Sequence, residues 1–314
     1  MMKKINDIIG DAKTIGIAGH VRPDGDCMGS CMSLYNYLKK NRPDLDVRVF
    51  LEFVDKKFNI IENTDQIITT GYDGTKFDLF ISLDTASLDR LGLNLPFYEN
   101  AKRTACIDHH ASNDGYADYN YILPKASSAS EVLYDLLDED LIDKSIAEPM
   151  YMGIAHDSGV FRFQSTTPKT MRIAANMIEK GVNVNMILEE TFFRKTYNQM
   201  MVTAKIQSEA VLALDGKCIY GYCTSEMMEE YGVTTKDLDA VVASIRNVDG
   251  VEVAMFLYQL SEDSYKVSLR SKNYVDVSKI AVENGGGGHV RAAGAEIHGE
   301  LNDIINKLLN RIKQ

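Results

Sequence analysis

The segment GHVRPDGDCMGS, residues 19–30, follows the apolar run IGIA and places His20, Asp24 and Asp26 within seven positions. Two carboxylates this close repel each other, and burying them without compensation is costly. A positive partner at the end of a buried strand would resolve the conflict. The reading of the chain therefore starts from the hypothesis of a cation site on the carboxyl edge of a sheet.

The segments around this one support it. TIGIAGH, DVRVFLE, FDLFISLD and RTACIDHH read as strands, and CMGSCMSLYNYLKK and SSASEVLYDLLDEDL as helices. Strands alternating with helices imply a parallel sheet wrapped by helices, and the continuous apolar runs suit strands covered on both faces. Open sheets of this class build their sites from loops at the carboxyl ends of the strands. Asp84 ends one strand in LDTAS, Asp108, His109 and His110 end another in CIDHHASN, and Asp157 closes a helix-like stretch in AHDSG.

His20, Asp24, Asp26, Asp84, His109 and Asp157 supply two imidazoles and four carboxylates, a charge of −4 that two divalent cations would balance. A mixed nitrogen and oxygen set suits manganese, magnesium, zinc, iron or cobalt rather than an ion preferring thiolates. Asp84, alone on its loop, is the candidate to bridge the ions. Two such ions roughly 3.5–4 Å apart can activate a water and stabilise the oxygens of an in-line phosphoryl displacement. Hydroxide would then attack phosphorus, and His110 is the candidate acid for the leaving oxygen.

The remainder of the chain reads as a second unit. No strand is evident from residue 183 for about thirty residues, so 186–205 is taken as a helical connector between domains at 1–185 and 206–314. Beyond it, KCIYGYC, VEVAMFLYQL and YKVSLRS read as strands, and TTKDLDAVVASIRN, VDVSKIAVENG and LNDIINKLLNRIK as helices. The fold class is α/β, with a parallel-sheet first domain and a smaller mixed α/β second domain. In NGGGGHVRAAGAEI, residues 284–297, four successive glycines lose much entropy on ordering, which a close approach of ligand or a positive φ would justify. Their N–H groups are expected to cradle phosphate at Gly286, Gly287 and Gly288, with His289, Arg291, Arg270 and Ser271 as further contacts.

Composition narrows the class of substrate. A net charge of −11 argues against a protein that coats long nucleic acid, but not against a short anion held by local cations. Ile5, Ile8, Ile9 and Ala12 repeat at helical spacing, interrupted by Asp7 and Asp11, so the N-terminus reads as an amphipathic helix rather than a leader. No run approaches the roughly 20 apolar residues of a membrane span. Five cysteines without a CxxC pair read as reduced structural residues, and a cytoplasmic location is expected.

HVRPDGD, LDTA, DHHASN and HDSG in that order, followed by GGGGHVRAAG, resemble the DHH phosphoesterase superfamily with its DHH-associated C-terminal domain. Length and layout are most similar to the oligoribonuclease and pAp phosphatase group. The resemblance implies a cleft between the domains and two ions, usually manganese. One would be held by His20, Asp24 and Asp84, the other by Asp26, Asp84, His109 and Asp157, with Asp108 orienting a histidine. It further implies release of mononucleotides from very short RNA, linear dinucleotides included, and removal of the 3′-phosphate of pAp. The partners expected are these substrates, with no long nucleic acid, no membrane, and a homodimer left open. A cyclic-dinucleotide phosphodiesterase and a RecJ-like single-strand exonuclease are the alternatives within the family, and a nucleotide sensor the alternative outside catalysis. The fourth motif reads AHDSG where relatives often show Thr-Asp-Thr-Gly, so His156 and Ser158 alter the surroundings of Asp157.

Overall fold

The structure, a computed structural model, describes residues 4–238 and 241–313. The chain divides into two compact units, 1–194 and 195–314. The division falls inside the span 186–205 read as a connector.

The first unit holds a five-stranded sheet of β1 (Thr14–Ala18), β2 (Asp46–Phe50), β3 (Leu79–Leu83), β4 (Thr104–Asp108) and β5 (Tyr119–Ile122). Their order is β2-β1-β3-β4-β5, with every neighbouring pair parallel. Helices α1 (Ile5–Ile9), α2 (Gly25–Asn41), α3 (Leu95–Glu99), α4 (Ala129–Leu136), α5 (Lys144–Asp157), α6 (Pro168–Glu179) and α7 (Val184–Leu188) complete it. Strand alternation explains the run IGIA. Ile15 and Ile17 join the larger apolar cluster, while Ala18 on the other face joins Phe50, Phe77, Phe80 and Phe97. Gly16 is small because a Cβ there would lie 2.5 Å from the Phe80 ring. Chain order reverses about β1, whose neighbours are β2 and β3, so the loops after β1 and β3 open at a topological switch point.

Helix α2 is buried over Gly25–Leu38 and packs on α5, which carries Pro149 in its interior. Proline has no N–H, so the carbonyl of Ser145 loses its helical donor. Asn36 on α2 supplies the replacement, with Nδ2 donating to Ser145 O at 2.8 Å, and Ser33 Oγ donates to Ile146 O at 3.2 Å. Asn36 thus answers a backbone defect in the opposite helix, and Ser33 adds a further bond across the interface.

In the second unit β6 (Val211–Ala213), β7 (Cys218–Cys223), β8 (Val253–Ser261), β9 (Ser264–Ser271), β10 (Gly287–His289) and β11 (Ala292–His298) form a mixed sheet. The order is β10-β11-β9-β8-β7-β6, antiparallel except for β7 with β8. Helices α8 (Tyr197–Ser208), α9 (Ser225–Tyr231), α10 (Val241–Ile245), α11 (Val277–Val282) and α12 (Leu301–Ile312) cover both faces. Val253, Met255 and Leu257 of β8 pack with α11 and α12, while Ala254 and Phe256 pack with α8 and α10. Of the helix read from TTKDLDAVVASIRN, residues 239–240 lie outside the described residues, and the flanks form a short 3-10 turn and α10. Among the described residues all five cysteines are free and buried, and no helix is long and apolar enough to cross a membrane.

Replacing Asn36 by Leu leaves the Ser145 carbonyl buried without a donor, at a cost of about 1–3 kcal/mol. Urea unfolding of Asn36→Leu should show a lower midpoint at unchanged slope, and an unaltered midpoint would refute the pairing.

Candidate metal centre

Three loops at the carboxyl edge of the first sheet and the end of α5 bring the acidic and histidine residues together. Asp84, directly after β3, adopts φ 51°, in the left-handed region that few residues other than glycine tolerate. Its amide remains bonded to Ile107 O of the neighbouring strand at 3.1 Å, so the chain turns at this residue. The Asp84 carboxylate is buried at 2% exposure. His20 Nε2 lies 3.4 Å from its Oδ2, and His109 Nε2 lies 3.5 Å from its Oδ1. That Oδ1 accepts no hydrogen bond.

Around this centre the ligand-type atoms form three clusters, each within 4.8 Å: His20, Cys27 and Asp84; Asp84, His109 and His110; Asp26, His109 and Asp157. Asp84 and His109 each belong to two of them. His109 Nε2 is 3.0 Å from Asp157 Oδ2. Five of the six residues read as ligands therefore fall within these clusters. Asp24 stands at the margin, with Oδ2 3.8 Å from His20 Nε2 and its side chain 57% exposed. Two members were not expected. Cys27 is one, but burial pushes its thiol well above the usual range, so it stays a neutral neighbour. His110 is the other, with Nδ1 3.7 Å from Asp84 Oδ1.

Helix termini hold two of the carboxylates. Asp24 caps α2, its Oδ1 accepting from the amides of Asp26 and Cys27 at 3.0 and 3.1 Å. Asp26, fully buried, accepts from Ala129 N at 2.6 Å and Ser130 N at 3.0 Å in the first turn of α4. Both helices therefore direct their positive ends at the acidic cluster. Each Asp26 oxygen retains a further lone pair, so this structural part does not preclude ligation.

Asp108 and His110 form a pair beside the centre. His110 Nδ1 and Asp108 Oδ1 are 2.8 Å apart, and Asn113 Nδ2 donates to Asp108 Oδ2 at 2.7 Å. The histidine that Asp108 orients is thus His110. Burial pulls the His110 imidazole down, but the Asp108 carboxylate outweighs it and holds His110 above the usual histidine range. Asn113 was not anticipated in this role, and its one signal is the Asn-Asp-Gly turn after DHH, in which Gly115 N donates to Asn113 Oδ1 at 2.9 Å.

The AHDSG motif acts through packing. His156 Nε2 meets Thr191 Oγ1 at 2.9 Å, and burial, helped by Lys57, pulls the imidazole down to about 4, so it is neutral near pH 7. Ser158 Oγ donates to Ile154 O and accepts from Phe161 N at 3.0 Å, anchoring the turn after Asp157.

In the second unit the glycine run passes from a turn into a strand. Gly287–His289 forms the edge strand β10, and a Cβ on Gly286 or Gly288 would lie 2.2 Å from Gly294 O or 2.5 Å from Ala292 O. Close approach of β11 backbone accounts for glycine at these two positions. Ser271 is 1% exposed and its Oγ donates to Val275 O at 2.6 Å. Arg291 Nη1 donates to Val275 O at 2.7 Å and Nη2 to Asn273 O. These bonds also shape the 271–275 loop, and the Arg291 guanidinium keeps further N–H donors beyond the two it spends there. Arg270 Nη1 donates to Leu269 O at 3.0 Å, and Gly287 and His289 are exposed on the sheet edge.

The donor set fits divalent cations. Four carboxylates crowd two imidazoles, and one buried carboxylate oxygen points into the cluster without a donor. Burial opposes charge on His20 and His109, yet Cys27, Asp24 and Asp84 around the first and Asp157 and Asp84 around the second push both up to about 12, while burial and neighbouring carboxylates push Asp26 well above its usual range. Protons and metal ions compete for these atoms.

A family model described as the DHH family N-terminal domain matches residues 14–154, and one for the DHHA1 domain matches residues 215–314. The chain belongs to the DHH family, and it is a metal-dependent phosphoesterase of that family. The bifunctional oligoribonuclease and PAP phosphatase NrnA of Thermus thermophilus is 32% identical over 311 residues, spanning 96% of this chain and 89% of that protein. The protein of the same name from Bacillus subtilis is 28% identical over 290 residues, 91% of this chain and 90% of that one. An exopolyphosphatase-related protein from Bacteroides fragilis shares the fold, with a TM-score of 0.89 at 23% identity over 98% of this chain and 95% of that one.

Manganese added to metal-stripped protein should raise its melting temperature, by an amount corresponding to about 2.7 kcal/mol at a hundredfold excess over Kd. Asp84→Ala should abolish that rise. Because ligation displaces protons from the imidazoles and carboxylates, manganese affinity should increase from pH 6 to 8. Calorimetry in buffers of different ionisation enthalpy would detect the released protons, and a pH-independent affinity would contradict the assigned ligands.

Proposed function

We propose that this protein hydrolyses very short RNA oligonucleotides, linear dinucleotides included, to mononucleotides and removes the 3′-phosphate of pAp, acting in the cytoplasm. The names of the relatives that match along nearly the whole chain support the substrate class. The observation that carries the chemistry is Asp84, buried between His20 and His109 with one oxygen lacking a donor.

His20, Asp24 and Asp84 on one side, and Asp26, Asp84, His109 and Asp157 on the other, would hold two divalent ions, manganese in this reading. Such ions lower the pKa of water and neutralise charge on a phosphoryl group. The protein's own residues do the rest. The carboxylates fix the positions of the cations, and the amides at the starts of α2 and α4 hold Asp24 and Asp26 in place. Asp108 orients His110 and favours its protonated form, from which a proton passes to the leaving oxygen. Arg270, Ser271, His289, Arg291 and the backbone of Gly286, Gly287 and Gly288 take the phosphate and nucleotide end of the substrate in this reading.

The test is a product analysis. Metal-stripped protein with added manganese is offered RNA dinucleotides to pentanucleotides, a 24-residue RNA, pAp, a cyclic dinucleotide and pyrophosphate. Mononucleotides should form fastest from the shortest RNAs, with phosphate released from pAp, and Asp84→Ala should lose all turnover. Preference for the cyclic dinucleotide or the 24-residue RNA would replace the substrate assignment, and no turnover on any substrate would favour a sensor. His110→Gln should lower kcat about 10²–10⁴-fold with manganese affinity unchanged.

A further inference from the structure

Arg90 stands on the turn after Asp84 and reaches back to the loop after β1. Its carbonyl accepts from Val21 N at 2.7 Å, and its Nη2 lies 3.2 Å from His20 Nδ1. His20 Nδ1 is also 2.7 Å from Val21 O, which can only accept, so this nitrogen carries the proton and donates to the carbonyl. Guanidinium N–H and imidazole N–H then face each other, and neither satisfies the other. Nε2 then faces the Asp84 carboxylate, where it binds a proton or, in its place, a metal ion.

The guanidinium stays charged at any pH the protein survives and offers five donors. Among the described residues no carboxylate lies within 4.0 Å of it, although the chain carries a net charge of −11 and Arg90 is exposed beside the acidic cluster. Arg42, Arg48, Arg103 and Arg311 each pair with a carboxylate. Arg90 is instead held by its backbone against His20, with its charged head unneutralised at the edge of the metal centre.

We propose that Arg90 is a phosphate-binding residue of the first unit, its guanidinium donating to a non-bridging oxygen of a phosphate bound on the His20 side of the centre. The inference rests on the reading of the centre as a phosphoester-hydrolysing site. It adds a cationic contact from the unit that carries the metal ligands, independent of the second unit.

Binding separates this proposal from turnover. Inorganic phosphate and 5′-AMP are titrated calorimetrically into manganese-loaded wild type, Arg90→Gln, Arg90→Lys and Arg311→Gln. The last removes the same charge at a distant surface ion pair. Manganese affinity is measured on each variant before phosphate is added. Arg90→Gln should weaken both anions about 10- to 100-fold, Arg90→Lys less, and Arg311→Gln not at all, with manganese affinity within about twofold throughout. Unchanged anion affinity in Arg90→Gln, no anion binding by wild type, or a parallel loss of manganese affinity would each overturn the proposal. Anion binding that depends on Arg90 in a protein that cleaves none of the nucleotides would sink the functional reading and leave this one standing.

Discussion

Repulsion among Asp26, Asp84 and Asp157, gathered around His109, is the constraint on which the first unit depends. Each carboxylate has a different local remedy. Asp26 lies against the first two amides of α4, Asp157 against His109, and Asp24 at the rim against the start of α2. These partial charges moderate the repulsion but do not remove it, since a helix terminus supplies about half an elementary charge. Asp84 has no helix terminus and relies on the imidazoles on both sides, with an oxygen that accepts no hydrogen bond. A parallel sheet suits such a cluster, because its crossovers return helix N-termini to the strand edge from which the acids project.

Backbone strain marks the same place. Asp84 at φ 51° and the consecutive Gly159, Val160 and Phe161 at 57°, 56° and 62° occupy the left-handed region. For a β-branched residue such as Val160 this is costly, on the order of 1–3 kcal/mol, and persists only where the surroundings enforce it. Val160 N donates to Ala155 O at 2.7 Å and Phe161 N to the buried Ser158 hydroxyl, which fixes the turn following Asp157. Both strained segments directly adjoin metal-type carboxylates, where placement of a side chain matters more than local comfort.

The central strands and the acidic motifs were legible because they obey simple periodicities: apolar runs ended by Asp or His, at spacings that put them on one edge. β5, reading YNYI and half exposed, carries too little hydrophobic pattern to announce a strand. β10 reads GGH and has no side-chain pattern to recognise; its pairing with β11 supplies what its composition hides. The contacts made by Asp26 at α4 were illegible for another reason, since 103 positions separate it from Ala129 and no local pattern reports a cap made across the fold. Arg90 was overlooked because one exposed arginine in a turn has no motif, and only its position beside His20 distinguishes it.

Chemistry and substrate choice are therefore written in the chain with unequal clarity. Metal ligands must converge on a point, and convergence leaves a signature in residue type and spacing. Phosphate recognition can be met by any donor on a suitable backbone, so its residues are easily confused with structural ones. Arg291 and Ser271 illustrate this, for a motif rich in donors turns out to have its guanidinium and hydroxyl engaged by loop carbonyls. The glycines beside them fit the close approach of a neighbouring strand without any ligand. Among the described residues Arg90 and Arg291 both lack a carboxylate partner, but loop carbonyls take two donors of Arg291 whereas the side chain of Arg90 faces only an imidazole N–H, which leaves Arg90 more of its donors for a phosphate.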